Sequence, residues 1–183
     1  ADDSLELFFN IKNKQKDKNI LSNINVRKAI FYAIDRERIV KELFQDKNNV
    51  LNGLFGENSF FGDPVWDEIS YDKDKAKEYL KSAGYGVDNP LYLTIGSNES
   101  SDSRQKIEEI IKENLEEIGI KIWISNYPSN EWYNNYVRQG NYELALWSIY
   151  TSNPDDLLNY FSSLKMPVNE TIDNQNCNNF YWY

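Results

Sequence analysis

Asn25-Val26-Arg27-Lys28-Ala29-Ile30-Phe31-Tyr32-Ala33-Ile34-Asp35-Arg36-Glu37-Arg38-Ile39-Val40-Lys41-Glu42-Leu43-Phe44 is the stretch on which the reading of this chain turns. Val26, Ala29, Ile30, Ala33 and Ile34 recur at the spacing that puts one apolar stripe on one face of a helix. The stripe breaks at Asp35 and resumes with Ile39, Val40, Leu43 and Phe44. Aspartate is a strong N-cap, because its carboxylate accepts from the free amide groups of a new first turn. The spacing therefore predicts two short helices meeting at Asp35.

Working outward, the segment before this stretch alternates. Leu5, Leu7, Phe9 and Ile11 interleave with Glu6, Phe8, Asn10 and Lys12, the period of a strand with one face buried. Lys12 to Asn19 has little to bury and reads as a loop. After the paired helices, Gln45 to Ser70 loses periodicity and gathers Gly53, Gly56, Gly62 and Pro64 among Leu54, Phe55, Phe60, Phe61 and Trp66. An irregular segment so rich in aromatic residues is expected to lie against a surface or to line a cavity.

Asp72 is placed to cap a helix with the stripe Ala76, Tyr79, Leu80 and Ala83, which Gly84 ends. Leu91, Leu93 and Ile95 then alternate as a strand. Asp102 with Gln105 makes a capping pair for a helix with the stripe Ile107, Ile110, Ile111, Leu115 and Ile118, and Gly119 stops it before Ile120, Ile122 and Ile124 alternate again. This is a β-α-β unit, which predicts two parallel strands in one sheet joined by a right-handed crossover. The acids Glu108, Glu109, Glu113, Glu116 and Glu117 lie off the stripe and are expected to face water. Asn130 to Arg138 suits a short helix closed by Gly140, and Tyr142 to Ile149 reads as a strand. Asp155 or Asp156 is expected to cap a last helix through Leu157, Leu158, Tyr160 and Phe161, before a polar tail over Asn169 to Asn179. The elements imply an α/β domain, a mixed sheet flanked by helices.

The composition narrows the function classes. The 183 residues suffice for one domain with a sizeable core. Twenty basic against twenty-nine acidic residues leave a net charge of -9, which disfavours nucleic-acid binding, since phosphate contacts need a basic surface. No histidine is present, so Ser-His-Asp and Cys-His catalysis and the commonest zinc ligand are excluded. Cys177 stands alone, so the chain holds no internal disulfide and no thiolate-rich metal site. There is no glycine-rich phosphate loop after a strand, and no nucleophile with an identifiable base. No apolar run reaches the length of a membrane span, and the N-terminus has no signal-peptide pattern. What remains is aromatic richness, with Phe, Trp and Tyr at 15% of the chain. Such side chains suit a binding surface, because they bury large areas while losing few rotamers.

The residues Val26 to Val40 also resemble the signature of the family 5 extracellular solute-binding proteins, the peptide, dipeptide and nickel receptors of ABC importers. Further matches follow in order: Tyr71-Asp72 with Ala76, Leu80 and Ala83-Gly84-Tyr85, then Glu117-Ile118-Gly119-Ile120, then Tyr142-Glu143-Leu144-Ala145 leading to Trp147 and Asn153-Pro154. The resemblance implies a periplasmic-binding-protein-like lobe of the two-lobed type. It further implies that residues 1–183 are a single domain, most of the second lobe of a longer protein that is exported and often lipid-anchored, excised at both ends. Two such lobes close over a small solute or peptide and deliver it to a membrane permease, with no cofactor and no catalysis. The expected location is extracellular, tethered to the outer face of the membrane, or periplasmic, and the expected state is a monomer.

In the family, a strand ending at a tryptophan and a loop with an Asp-Pro pair contribute to the ligand cleft. Here Trp147 and Pro154 match, and Asn153 replaces the aspartate. In the peptide receptors an aspartate three residues after the tryptophan holds the ligand's amino terminus, and here Tyr150 stands in that place. A phenol gives a neutral hydrogen bond where a carboxylate gives a charge-assisted one, so a nickel chelate, a sugar or a peptide held differently stays open. The expected ligand-binding residues are Trp147, Ser148, Tyr150 and Asn153, with Phe60, Phe61 and Trp66. Arg27, Asp35 and Arg36 are expected to be structural. Two other readings are a ligand-sensing domain of a transcription activator and a glycoside-active enzyme using carboxylates near aromatics.

Overall fold

A computed structural model describes residues 2–12, 19–45, 50, 51, 70–151, 153, 155–162 and 164. Four strands, β1 (Asp2–Phe9), β2 (Leu91–Gly96), β3 (Ile120–Ile124) and β4 (Leu144–Thr151), form one sheet in the order β1-β4-β2-β3. β1 runs antiparallel to β4, and β4 runs parallel to β2. Hydrogen bonds from Leu91 to Gly119 and from Ser125 to Ile95 advance together along β2 and β3, as parallel strands require. The sheet is therefore mixed, and the helix between β2 and β3 completes the expected β-α-β unit.

The residues form two compact units. One comprises Asn23–Leu93 and Asp102–Trp123; the other comprises Ala1–Ser22, Thr94–Ser101 and Ile124–Tyr183. The first holds the helices α1 (Ile24–Ala33), α2 (Arg36–Phe44), α3 (Lys73–Ser82) and α4 (Asp102–Glu116). Side chains set where three of them begin. Asn23 accepts from the Asn25 amide, Asp35 from Arg38 at 2.9 Å, and Asp72 from Lys75 at 2.9 Å. The chain bends at Asp35 as expected, and the Asp35 amide donates to the buried Asn114 of α4. Val26, Ala29, Ile30, Ala76, Leu80, Ile111 and Leu115 form its core. Arg36 is half-buried, its guanidinium 4.5 Å from the centre of the Phe31 ring, and burial lowers its pKa.

α4 departs from expectation twice: it begins at Asp102 itself, so Asp102 lies inside the helix and is not its cap, and one of its acids is buried. Glu113 and Glu117 lie at the surface and pair with Arg38 and Lys73, but Glu108 is 0% exposed, so it belongs to the buried side. Its position next to Ile107 and three residues before Ile111 puts it on the margin of the apolar stripe, which is wider than the five residues that define it.

The second unit contains β1, β4, the short α5 (Ser129–Glu131), a π-helical turn (Trp132–Val137) and α6 (Asp155–Phe161). Here β1 inverts the expected faces. Ser4, Phe8 and Asn10 are buried, whereas Leu5 is 38% exposed and Leu7 and Phe9 are half-buried. The even-numbered side has the partners: Phe8 meets the Phe161 ring of α6 at 6.5 Å, and the Asn10 amide donates to the Gly140 and Tyr142 carbonyls at 2.9 and 2.8 Å. β4 lies between β1 and β2, and it is buried on both faces at Leu144, Ala145 and Leu146. The buried Glu143 carboxylate accepts from the Thr94 amide at 2.7 Å and the Thr94 hydroxyl at 2.9 Å.

Candidate functional site

β4 carries three of the expected ligand residues, Trp147, Ser148 and Tyr150, and its pairing with β1 decides which way they point. Residues directly opposite in an antiparallel ladder share a face. Trp147 stands opposite Glu6; Ser148 stands opposite Leu5, and Tyr150 opposite Asp3. The strand therefore divides the expected set, with Trp147 on one face and Ser148 and Tyr150 on the other. Trp147 and Ser148 are half-buried, and Tyr150 is 57% exposed.

Asn153 has a structural task. Its side-chain oxygen accepts from the Asp155 amide at 2.9 Å, and the Asp156 carboxylate accepts in return from the Asn153 amide at 3.1 Å. This reciprocal pair is a capping box at the start of α6, so Asn153 is the cap where Asp155 or Asp156 was expected. Phe60, Phe61, Trp66 and Pro154 lie outside the described residues.

The surface around Trp147 is built by the segment before β4. In place of the regular helix expected over Asn130 to Arg138, α5 passes into a π-helical turn, with the Arg138 amide bonded to Tyr133 and the Asn141 amide to Tyr136, each five residues back. The wider turn spends a residue and shifts the side chains that follow it, a device found often at functional sites. Gly140 ends the turn at φ 69°, as its position suggested.

Two aromatic groups result. Tyr127, Trp132 and Tyr136 stack, with Tyr127 and Tyr136 ring centres 4.0 Å apart, and Tyr142 meets Trp132 edge-on. The hydrogen bond with Tyr127, aided by burial, pushes the Tyr136 phenol up to about 12, so it stays protonated and neutral. Trp132 is buried, and its indole N–H has no acceptor among the described residues. Its ring lies where a Cβ on Gly96 would sit, 2.7 Å away, so glycine lets the indole close on β2.

The second group is more open. Tyr133 and Trp147 stack at 6.0 Å with planes 19° apart, and the Arg138 guanidinium lies over the Tyr133 ring at 5.8 Å. Glu6 completes the patch from β1. Sequence reasoning did not single out Glu6, Tyr133 or Arg138, because the leucines flanking Glu6 assigned it to the water-facing side. The signal that would have found it is the run Ser4, Glu6, Phe8, Asn10 read as one face. Among the described residues no group of three His, Cys, Asp or Glu is placed to hold a metal ion, and no helix is long and apolar enough to cross a membrane.

The architecture is thus a four-stranded mixed sheet flanked by helices, with an open aromatic patch at β4. The profile described as "Bacterial extracellular solute-binding proteins, family 5 Middle" matches residues 3–168, and the chain belongs to that family. Its members are extracellular or periplasmic solute-binding proteins. The chain is 27% identical over 149 residues to heme-binding protein A of Haemophilus influenzae, covering 78% of this chain and 26% of the relative. It is 27% identical over 156 residues to the dipeptide-binding protein of Escherichia coli, covering 80% and 28%. NikZ from Campylobacter jejuni, solved in complex with Ni(L-His), has the same fold at a TM-score of 0.76 and 24% identity, covering 99% of this chain and 36% of that one. The chain thus spans about a quarter of the length of the curated relatives it matches.

Proposed function

We propose that this chain is most of one lobe, the second, of a two-lobed receptor that captures an oligopeptide or a related small solute outside the cell and delivers it to an ABC permease. The observation that carries the reading is the family match over residues 3–168. The likeness to a dipeptide-binding protein supports the solute class. On this reading the receptor works without catalysis or cofactor, as a monomer tethered at the outer membrane face or free in the periplasm.

The mechanism is hinge closure. Contacts present only in the closed form shift the population toward it, and the closed receptor docks on its permease. Trp147 and Tyr133 suit the lobe's share of the cleft, since stacked rings with partly open faces offer area without ordering cost. One lobe holds half of a cleft, so the isolated chain is expected to bind little or nothing.

The test is thermal melting of the receptor at full length against short peptides, nickel chelates and oligosaccharides. A ligand present at a hundred times its Kd stabilises by about 2.7 kcal/mol, a readable shift. A shift with peptides supports the reading. A shift with nickel chelates or sugars alone moves the solute class, and silence across the panel favours a ligand sensor fused to a regulator.

A further inference from the structure

Carboxylates that a fold uses for itself have partners. Glu42 and Glu113 meet Arg38, Glu117 meets Lys73, and Glu143 takes both donors of Thr94. Glu6 stands apart. Its carboxylate is half-buried, accepts one hydrogen bond, from the Ser4 hydroxyl at 2.9 Å, and has no cationic partner among the described residues. Burial raises its pKa above the ordinary carboxylate value, and the Ser4 bond offsets this in part. A desolvated, uncompensated carboxylate costs folding free energy that a glutamine or threonine would avoid.

The surroundings of Glu6 indicate what would compensate it. Trp147 is its direct partner in the ladder, and opposite side chains have Cβ atoms about 5 Å apart on one face. The indole is braced by Tyr133, so its position is set before any ligand arrives. An aromatic face attracts a cation through its quadrupole, and a neighbouring carboxylate adds a charge-assisted hydrogen bond. Both groups are partly open to solvent. Arg138 lies over the Tyr133 ring and makes no ion pair with Glu6.

We propose that Glu6, with Trp147 braced by Tyr133, is the anchor for a cationic group of the solute, an ammonium or a guanidinium. The inference rests on the reading of the chain as a receptor lobe and adds to it the charge of the group bound here. A neutral or anionic group would leave the carboxylate uncompensated, so the site selects by charge.

The test uses the receptor at full length and two probes that differ by one charge, trialanine and N-acetyl-trialanine, with Kd read by calorimetry. The wild type is expected to prefer trialanine by about tenfold or more. Glu6→Gln should weaken trialanine about ten- to a hundredfold and leave N-acetyl-trialanine within about twofold, while Glu6→Asp, which keeps the charge, recovers part of the loss. Unchanged trialanine binding by Glu6→Gln, equal binding of both probes by the wild type, or an equal loss for both probes in the variant would each overturn the assignment of Glu6 and leave the receptor reading standing. A folded wild type that binds neither probe overturns the assignment too, and with silence across the wider panel the receptor reading falls as well.

Discussion

The helical unit and the unit built on β1 and β4 treat their polar groups differently. In the first, α1, α2 and α3 each begin on a capping side chain, Arg38 and Lys73 pair with the surface carboxylates of Glu113 and Glu117, and one oxygen of the buried Glu108 lacks a hydrogen bond among the described residues. In the second, Glu6 is half-buried with one neutral partner, the Trp132 N–H lacks an acceptor among the described residues, and a π-helical turn interrupts the segment before β4. Groups that are already satisfied hold a fold and have little to offer a ligand. Groups left partly unsatisfied cost stability and keep an interaction in reserve, and that is where a receptor's selectivity can reside.

The sharpest way to break the helical unit is at Gly119. It adopts φ +103°, and a Cβ there would lie 2.3 Å from the carbonyl carbon of Gly86. Neither backbone can yield cheaply, so Gly119→Ala is expected to cost more than about 3 kcal/mol, read as a fall in the urea midpoint. Next comes Glu143→Ala in the β unit, which strands the Thr94 amide and hydroxyl. A loss of about 2 kcal/mol is expected, with Glu143→Gln costing less because one acceptor remains. Asp35→Ala removes the α2 cap and should cost about 1 kcal/mol in the same assay.

The smallest effect has the opposite sign and is the most telling. Glu6→Gln should raise stability at neutral pH, by less than about 0.5 kcal/mol. Because the folded-state pKa of Glu6 is raised, its favourable contribution is present below the unfolded-state pKa and is lost as pH rises through the folded-state value. The gap between variant and wild type should therefore be widest near pH 7 and close in acid. A variant less stable than the wild type at pH 7 would show that Glu6 is a structural residue, and the contrast between the two units would lose its main support.

Most of the framework was legible because it follows local rules. The break at Asp35, the caps, the glycine stops and the β-α-β alternation each depend on residues within one or two turns of one another. The errors arose where a distant segment decides. Leu5, Leu7 and Phe9 outnumber the apolar residues on the other face of β1, yet Phe161 and the Gly140 and Tyr142 carbonyls claim the face of Phe8 and Asn10. Read alone, β1 favours its leucine face, and only these distant partners reverse the choice. Glu108 failed for a related reason, since the buried side of α4 is wider than its apolar residues reveal. At the candidate site, the tryptophan was readable from its motif, but its companions come from β1 and the π-helical turn and are united only by the register of Glu6 opposite Trp147.

That register also orders events in time. β1 precedes the other strands, yet its hydrogen-bonding partner is β4, about 140 residues later, while all the residues of the helical unit lie between them. During synthesis the first strand emerges long before its mate, and closing so large a loop is entropically the slower step. The helical unit is expected to condense first. A nascent chain halted before Leu144 should therefore protect amides in α1 and α4 from hydrogen exchange while those of Leu5 to Phe9 exchange freely. On this order the aromatic patch forms after the helical unit.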